Sequence, residues 1–199
     1  MSKTRWKSGL LGMVGPLGLA LAMVYAPAPV VGADPGEGFR LSLTCAGCHG
    51  TDGAAPGETI PILGGQRADY LRAALADYKS GTRDFYVMNF IARAYSDDQI
   101  GAIADWFAAK PWVDTPTRTR AIGISGGAGE TCAECHGEGG GGSGKGPRIA
   151  GQPAAYLLEA MMAYKAGTRG GDGGAAMKVL AEVGDGEIED LAHHYAGLR

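Results

Sequence analysis

The chain reads as an all-α protein made of two tandem copies of one small helical domain. Two observations carry that reading. Apolar residues recur at helical spacing, as in Tyr70, Leu71, Ala74, Leu75 and Tyr78, and no convincing strand alternation appears. Blocks of the first half also return in the second at offsets of 86 to 88 residues. Gly65-Gln66 returns as Gly151-Gln152, Tyr70-Leu71 as Tyr156-Leu157, Tyr78-Lys79 as Tyr164-Lys165, and Gly81-Thr82-Arg83 as Gly167-Thr168-Arg169. Each copy is only about 80 residues long, a size at which a domain is marginal unless something supplements its core.

Each copy is expected to hold three helices. The first covers 38–47 and 127–134, leading into a cysteine motif. The second covers 67–79 and 153–165 and ends before Gly81 and Gly167, residues suited to helix ends. The third covers 97–109 and 186–197, with Ser96 or Asp97 as a cap for the first of these. Pro111 and Pro116 interrupt helical patterning between the copies. The expected organisation is therefore a signal segment over 1–33, a first domain over 34–110, a linker over 111–120 and a second domain over 121–199.

All four cysteines fall in two copies of one pentapeptide, Cys45-Ala46-Gly47-Cys48-His49 and Cys132-Ala133-Glu134-Cys135-His136. C-x-x-C-H is the attachment pattern for a c-type haem. The two thiols add across the porphyrin vinyl groups, and the adjacent histidine ligates iron. A zinc site would gather its pairs closely, whereas Cys48 and Cys132 lie 84 positions apart. A thioredoxin-like pair or a disulfide framework leaves the repeated histidine unexplained. Two covalent haem c groups are the expectation, one per domain. A buried haem would also supply the apolar mass that each small copy lacks.

A haem carrier needs a second axial ligand. The first half downstream of the signal segment has one methionine, Met88, and no histidine besides His49, so Met88 is the candidate by elimination. The second half offers Met161, Met162 and Met177. Met161 lies on the apolar face of its helix and Met162 beside it. Met177 stands 41 residues after His136, much as Met88 stands 39 after His49, and is preferred. His193 and His194 fall within the last helix, where a structural or solvated role is expected.

Residues 1–33 have the build of an export signal: Lys3, Arg5 and Lys7, then a mostly apolar run, then Val31-Gly32-Ala33 as a cleavage site. Periplasmic localisation follows, with membrane association only if the segment is retained. Without those three basic residues, 15 basic residues face 21 acidic ones, a formal net charge of −6. Such a surface suits neither nucleic acid nor anionic lipid. Residues 139–146 imitate a phosphate loop, but Gly146 stands where Ser or Thr must hold magnesium, so a plain loop is expected.

The order C-x-x-C-H, Pro, Gly-Gln, Tyr-Leu, Tyr-Lys-x-Gly-x-Arg, Met resembles the dihaem class I cytochromes c of the cytochrome c4 type over nearly all of residues 40–199. That resemblance implies a small helical fold around each haem. It also implies that the carbonyls of Pro61 and Pro147, 12 and 11 residues after the histidines, accept the imidazole N–H. Residues 88–96, Met-Asn-Phe-Ile-Ala-Arg-Ala-Tyr-Ser, look most like the cytochrome subunit of flavocytochrome c sulfide dehydrogenase. In that family an FAD-bearing subunit oxidises sulfide and the haems carry the electrons away. The Met177 region is Gly-rich and lacks the Tyr-Ser pair. The expected role is single-electron transfer, not catalysis by this chain alone, with a flavoprotein partner and a downstream redox protein or oxidase. The alternative within the same chemistry is a free cytochrome c4-like shuttle to a terminal oxidase. A dihaem peroxidase would need an open sixth position, whereas both halves offer a methionine.

Overall fold

The computed structural model describes residues 36–113, 128–171 and 174–199. The expected signal segment and residues 114–120 of the expected linker lie outside the described residues. The first half opens with α1 (Gly36–His49), followed by α2 (Ala68–Ser80), α3 (Tyr86–Arg93) and α4 (Asp97–Ala108). The second half holds α5 (Ala128–His136), α6 (Ala154–Lys165) and α7 (Asp185–Gly197), with 3₁₀ turns at Glu138–Gly140 and Ala176–Glu182. Among the described residues there is no strand, only one isolated antiparallel bridge between Arg83 and Arg169. Residues 34–199 form one compact unit.

The described part of the structure is helical, as expected. It differs from the sequence reading in one element: α3 is a fourth helix in the first half, where three were expected. The α1 and α5 helices also run through the cysteine motifs to His49 and His136 rather than stopping before them. Gly81 does end α2, in the left-handed conformation at φ 84°, and its N–H bonds Tyr78 O. Ser96 caps α4 in a full capping box with Gln99.

Packing repeats with the sequence. In the first half α2 and α4 enclose Leu71, Ile103, Ala104 and Phe107, with Cys45 and Tyr70 against them. In the second, α6 and α7 enclose Leu157, Leu191, Ala192, Tyr195 and Ala196, with Cys132 and Tyr156 against them. The α1 helix lies along α4. The approach is close because position 38 is glycine: a Cβ there would stand 2.5 Å from Ala102 O and 3.0 Å from Trp106 Cβ.

The halves meet through bonds that come in reciprocal pairs. Gln66 Nε2 donates to Arg148 O at 2.8 Å, and Gln152 Nε2 donates to Ile62 O at 2.8 Å. Arg83 donates to Tyr156 Oη at 3.3 Å and stacks over the Tyr78 ring at 4.4 Å. Arg169 donates to Tyr70 Oη at 3.1 Å and stacks over the Tyr164 ring at 4.4 Å. In this exchange residue i bonds j, and the repeat partners of i and j bond in return, the arrangement of a two-fold interface. Both guanidiniums are buried, at 8% and 9% exposure, so the phenols and rings around them offset a large desolvation cost.

Candidate functional site

In each half the cysteines and the histidine occupy the last turns of one helix. Spacing of i, i+3 and i+4 puts Cys45, Cys48 and His49 on one face of α1, and Cys132, Cys135 and His136 on one face of α5. Cys45 packs against the first apolar core, and burial, aided by the Cys48 thiol, pushes its thiol up to about 11. Burial also raises Cys132, against a hydrogen bond with Tyr195. Thiols held protonated in apolar surroundings are poor thiolate ligands for a metal. No disulfide joins the four cysteines, and among the described residues no three or more His, Cys, Asp or Glu are gathered as a metal site.

The histidines are oriented by backbone carbonyls. His49 Nδ1–H donates to Pro61 O at 2.9 Å, and His136 Nδ1–H donates to Pro147 O at 2.8 Å. A carbonyl can only accept, so the proton sits on Nδ1 and Nε2 keeps its lone pair. His49 is buried at 7% exposure. Burial lowers the pKa of both rings, with the proline carbonyls pulling the other way. A neutral imidazole with Nδ1 tied down and Nε2 free is the form in which histidine binds iron. Paired thiols one helical turn apart and a histidine so presented fit a covalent haem in each half.

The candidate methionines sit on elements of different kind. Met88 is half-buried on α3, and Met177 half-buried in the 3₁₀ turn Ala176–Glu182. The first element packs on α2, the second on α6, so the two methionine segments hold corresponding places. Met161 packs against the second core. His193 and His194 lie in α7, and the His194 ring meets Tyr195 edge-on at 5.0 Å.

Sequence reading passed over three features of these sites. Asn89, buried beside Met88, donates to Tyr78 O at 2.7 Å and Arg83 O at 3.0 Å and accepts from Phe85 N–H at 2.7 Å. Gly146 presses on the second motif: a Cβ there would lie 2.8 Å from Cys135 O and 3.1 Å from His136 Nδ1. The third is the pair Gln66 and Gln152, noticed only as repeat markers. The glycine-rich loop is thus a wall of the second site, where Gly142 N–H bonds His136 O at 2.6 Å and Ser143 Oγ bonds Cys135 O.

Comparison with known proteins agrees with this geometry. The family model "Cytochrome c" matches residues 35–109 and again 128–195. A thiosulfate dehydrogenase electron acceptor of Stutzerimonas stutzeri (strain A1501) is 35% identical over 184 residues, covering 84% of this chain and 82% of that protein. The cytochrome subunit of sulfide dehydrogenase of Chlorobaculum tepidum is 44% identical over 71 residues, 36% of this chain and 64% of that one. The crystal structure of reduced recombinant cytochrome c4 from Pseudomonas stutzeri superposes with a TM-score of 0.69 at 25% identity, covering 81% of this chain and 97% of that one. Two matched modules, two C-x-x-C-H motifs and two oriented histidines make the conclusion plain: the chain belongs to the cytochrome c family, as a dihaem class I protein of the cytochrome c4 type with two covalent haem c groups.

Proposed function

We propose that this cytochrome is the exported haem subunit that accepts electrons from an FAD-bearing subunit oxidising sulfide, and passes them singly to a downstream redox protein. The observation that carries the electron-transfer role is the paired site: two histidines, each with Nδ1 held by a proline carbonyl, in halves joined by reciprocal bonds. The choice of sulfide is supported by the 44% identity to a sulfide dehydrogenase cytochrome subunit.

Haem supplies a one-electron ferric–ferrous couple when bound. Cys45 and Cys48 tether it in the domain at 34–110, and Cys132 and Cys135 in the domain at 121–199, across the linker at 111–120. His49 with Met88, and His136 with Met177, are the residues that we assign to hold the two haem irons and that would ligate them when haem is bound. The proline carbonyls keep each ring in one tautomer and one orientation, so little need rearrange when the charge on the site changes. Burial in α1 keeps water from His49, whereas His136 on α5 is half-buried. Cleavage near Ala33 would release the chain into the periplasm. No helix of the described residues is long and apolar enough to cross a membrane.

A second reading rests on the 35% identity over 84% of the chain to a thiosulfate dehydrogenase electron acceptor. In that case the donor is an enzyme oxidising thiosulfate and no flavin accompanies the cytochrome. One preparation separates the two. The protein is purified gently from its native host, its spectrum inspected for flavin, and sulfide or thiosulfate added without air. Stoichiometric flavin and haem reduction by sulfide are expected. Reduction by thiosulfate alone, without flavin, supports the second reading. Haem bands alone, with neither compound reducing them in a preparation that has lost no subunit, would point to a free shuttle serving an oxidase.

A further inference from the structure

The crossed glutamines do more than join the halves. Gln152 Oε1 accepts from Ile62 N–H at 2.9 Å while its Nε2 donates to Ile62 O at 2.8 Å. Ile62 N–H and Pro61 C=O are the two ends of one peptide group. The far end of that group is the acceptor for His49 Nδ1–H at 2.9 Å. A continuous line of bonds therefore runs from Gln152 in the second half, through one conjugated amide, to the haem histidine of the first.

The mirror image exists. Gln66 Oε1 accepts from Arg148 N–H at 3.0 Å, Gln66 Nε2 donates to Arg148 O at 2.8 Å, and Pro147 O accepts from His136 Nδ1–H at 2.8 Å. Both glutamines are buried at 3% exposure, so water is a poor substitute for either. A peptide whose N–H is engaged carries more negative charge on its oxygen, because the amide is conjugated and hydrogen bonds in a chain polarise one another. A better acceptor on Nδ1–H makes the ring a stronger donor to iron, which favours the ferric state.

We propose that Gln66 and Gln152 are positioning residues acting in trans, each setting the potential of the haem in the opposite half. This rests on His49 and His136 being axial ligands. Each haem then reaches its working potential only when the other half is docked. The two lines are unequal: Gln66 Oε1 is shared with Arg67 N–H at 3.0 Å, so Gln152 exerts the larger effect.

The test is a redox titration of the whole dihaem protein, followed by paramagnetic NMR so that the haem methyl signals report each haem separately. Gln152→Leu is expected to ease reduction of the first haem about threefold, ~28 mV at ~59 mV per tenfold for one electron, and to leave the second haem unmoved. Gln66→Leu shifts the second haem the same way by less. Gln152→Glu keeps an oxygen facing Ile62 N–H and, as a carboxylate, makes it a stronger acceptor than the amide, so it moves the first haem against the second in the opposite sense. A shift confined to the glutamine's own half overturns the proposal, as do equal shifts in both haems, no shift in either, or one sign for both Leu and Glu. If the leucine variants do not hold haem, the sign for Gln152→Glu decides alone. Failure of the ligand assignment looks different: the unaltered protein would then lack histidine-ligated low-spin haems.

Discussion

The two halves share a site and differ in how they hold the methionine expected to complete it. In the first, Met88 stands on α3, a helix anchored by three bonds of buried Asn89 and followed by the Ser96–Gln99 capping box. In the second, Met177 stands in a 3₁₀ turn that leads to α7, whose N-cap Gly184 makes no side-chain bond. Lys178 follows Met177 where Asn89 follows Met88, so that anchor has no counterpart. The histidine side of the site is the same twice over, down to a proline carbonyl at 2.9 and 2.8 Å. Duplication has thus kept the segment that orients the histidine and let the methionine segment drift.

The sharpest way to break the comparison is to exchange ligands. Met88→His should lower the first haem's potential by well over the ~59 mV of a tenfold change and leave the second nearly unmoved, with Met177→His doing the reverse. Separate titration of the two haems reads this, and an unmoved first haem would show that Met88 is not a ligand.

Next in size is the anchor. Asn89→Ala strands Arg83 O and Phe85 N–H and leaves Tyr78 O with Gly81 N–H alone, and should cost ~2–3 kcal/mol in a denaturant titration. Loss of methionine ligation should appear at the first haem only. A Lys178→Ala substitution, on an exposed residue, should change stability by less than ~0.5 kcal/mol.

Helix caps give a smaller contrast. Ser96→Ala should cost ~1 kcal/mol, whereas Gly184→Ser should add a few tenths by giving α7 the cap it lacks, both read as shifts in denaturation midpoint.

What the sequence made legible follows from which interactions are local. The Cys-His motifs lie within one helical turn, and the repeat offset needs only counting, so the haem sites and the paired helices α2 and α6 could be read directly. The α3 helix could not. It is eight residues long, rich in Tyr, Val, Phe and Ile, and opens on Phe85, which gives no side-chain cap. Tertiary packing on α2 and the Asn89 bonds make it helical. The trans role of Gln66 and Gln152 was equally hidden, because it joins residues 82 and 90 positions apart. The glycine run at 139–146 reads from sequence as a loop, but its fit against Cys135 and His136 depends on a close approach that spacing does not reveal.

Six ligands at each iron, as we assign them, suit the chain to carrying single electrons. Carbon monoxide added to the reduced, gently purified protein at neutral pH tests this most directly. Two haems per chain with spectra unchanged by the gas are the expected result. Binding at either haem would mean an open sixth position in that half, and would contradict the assignment of Met88 or Met177 there.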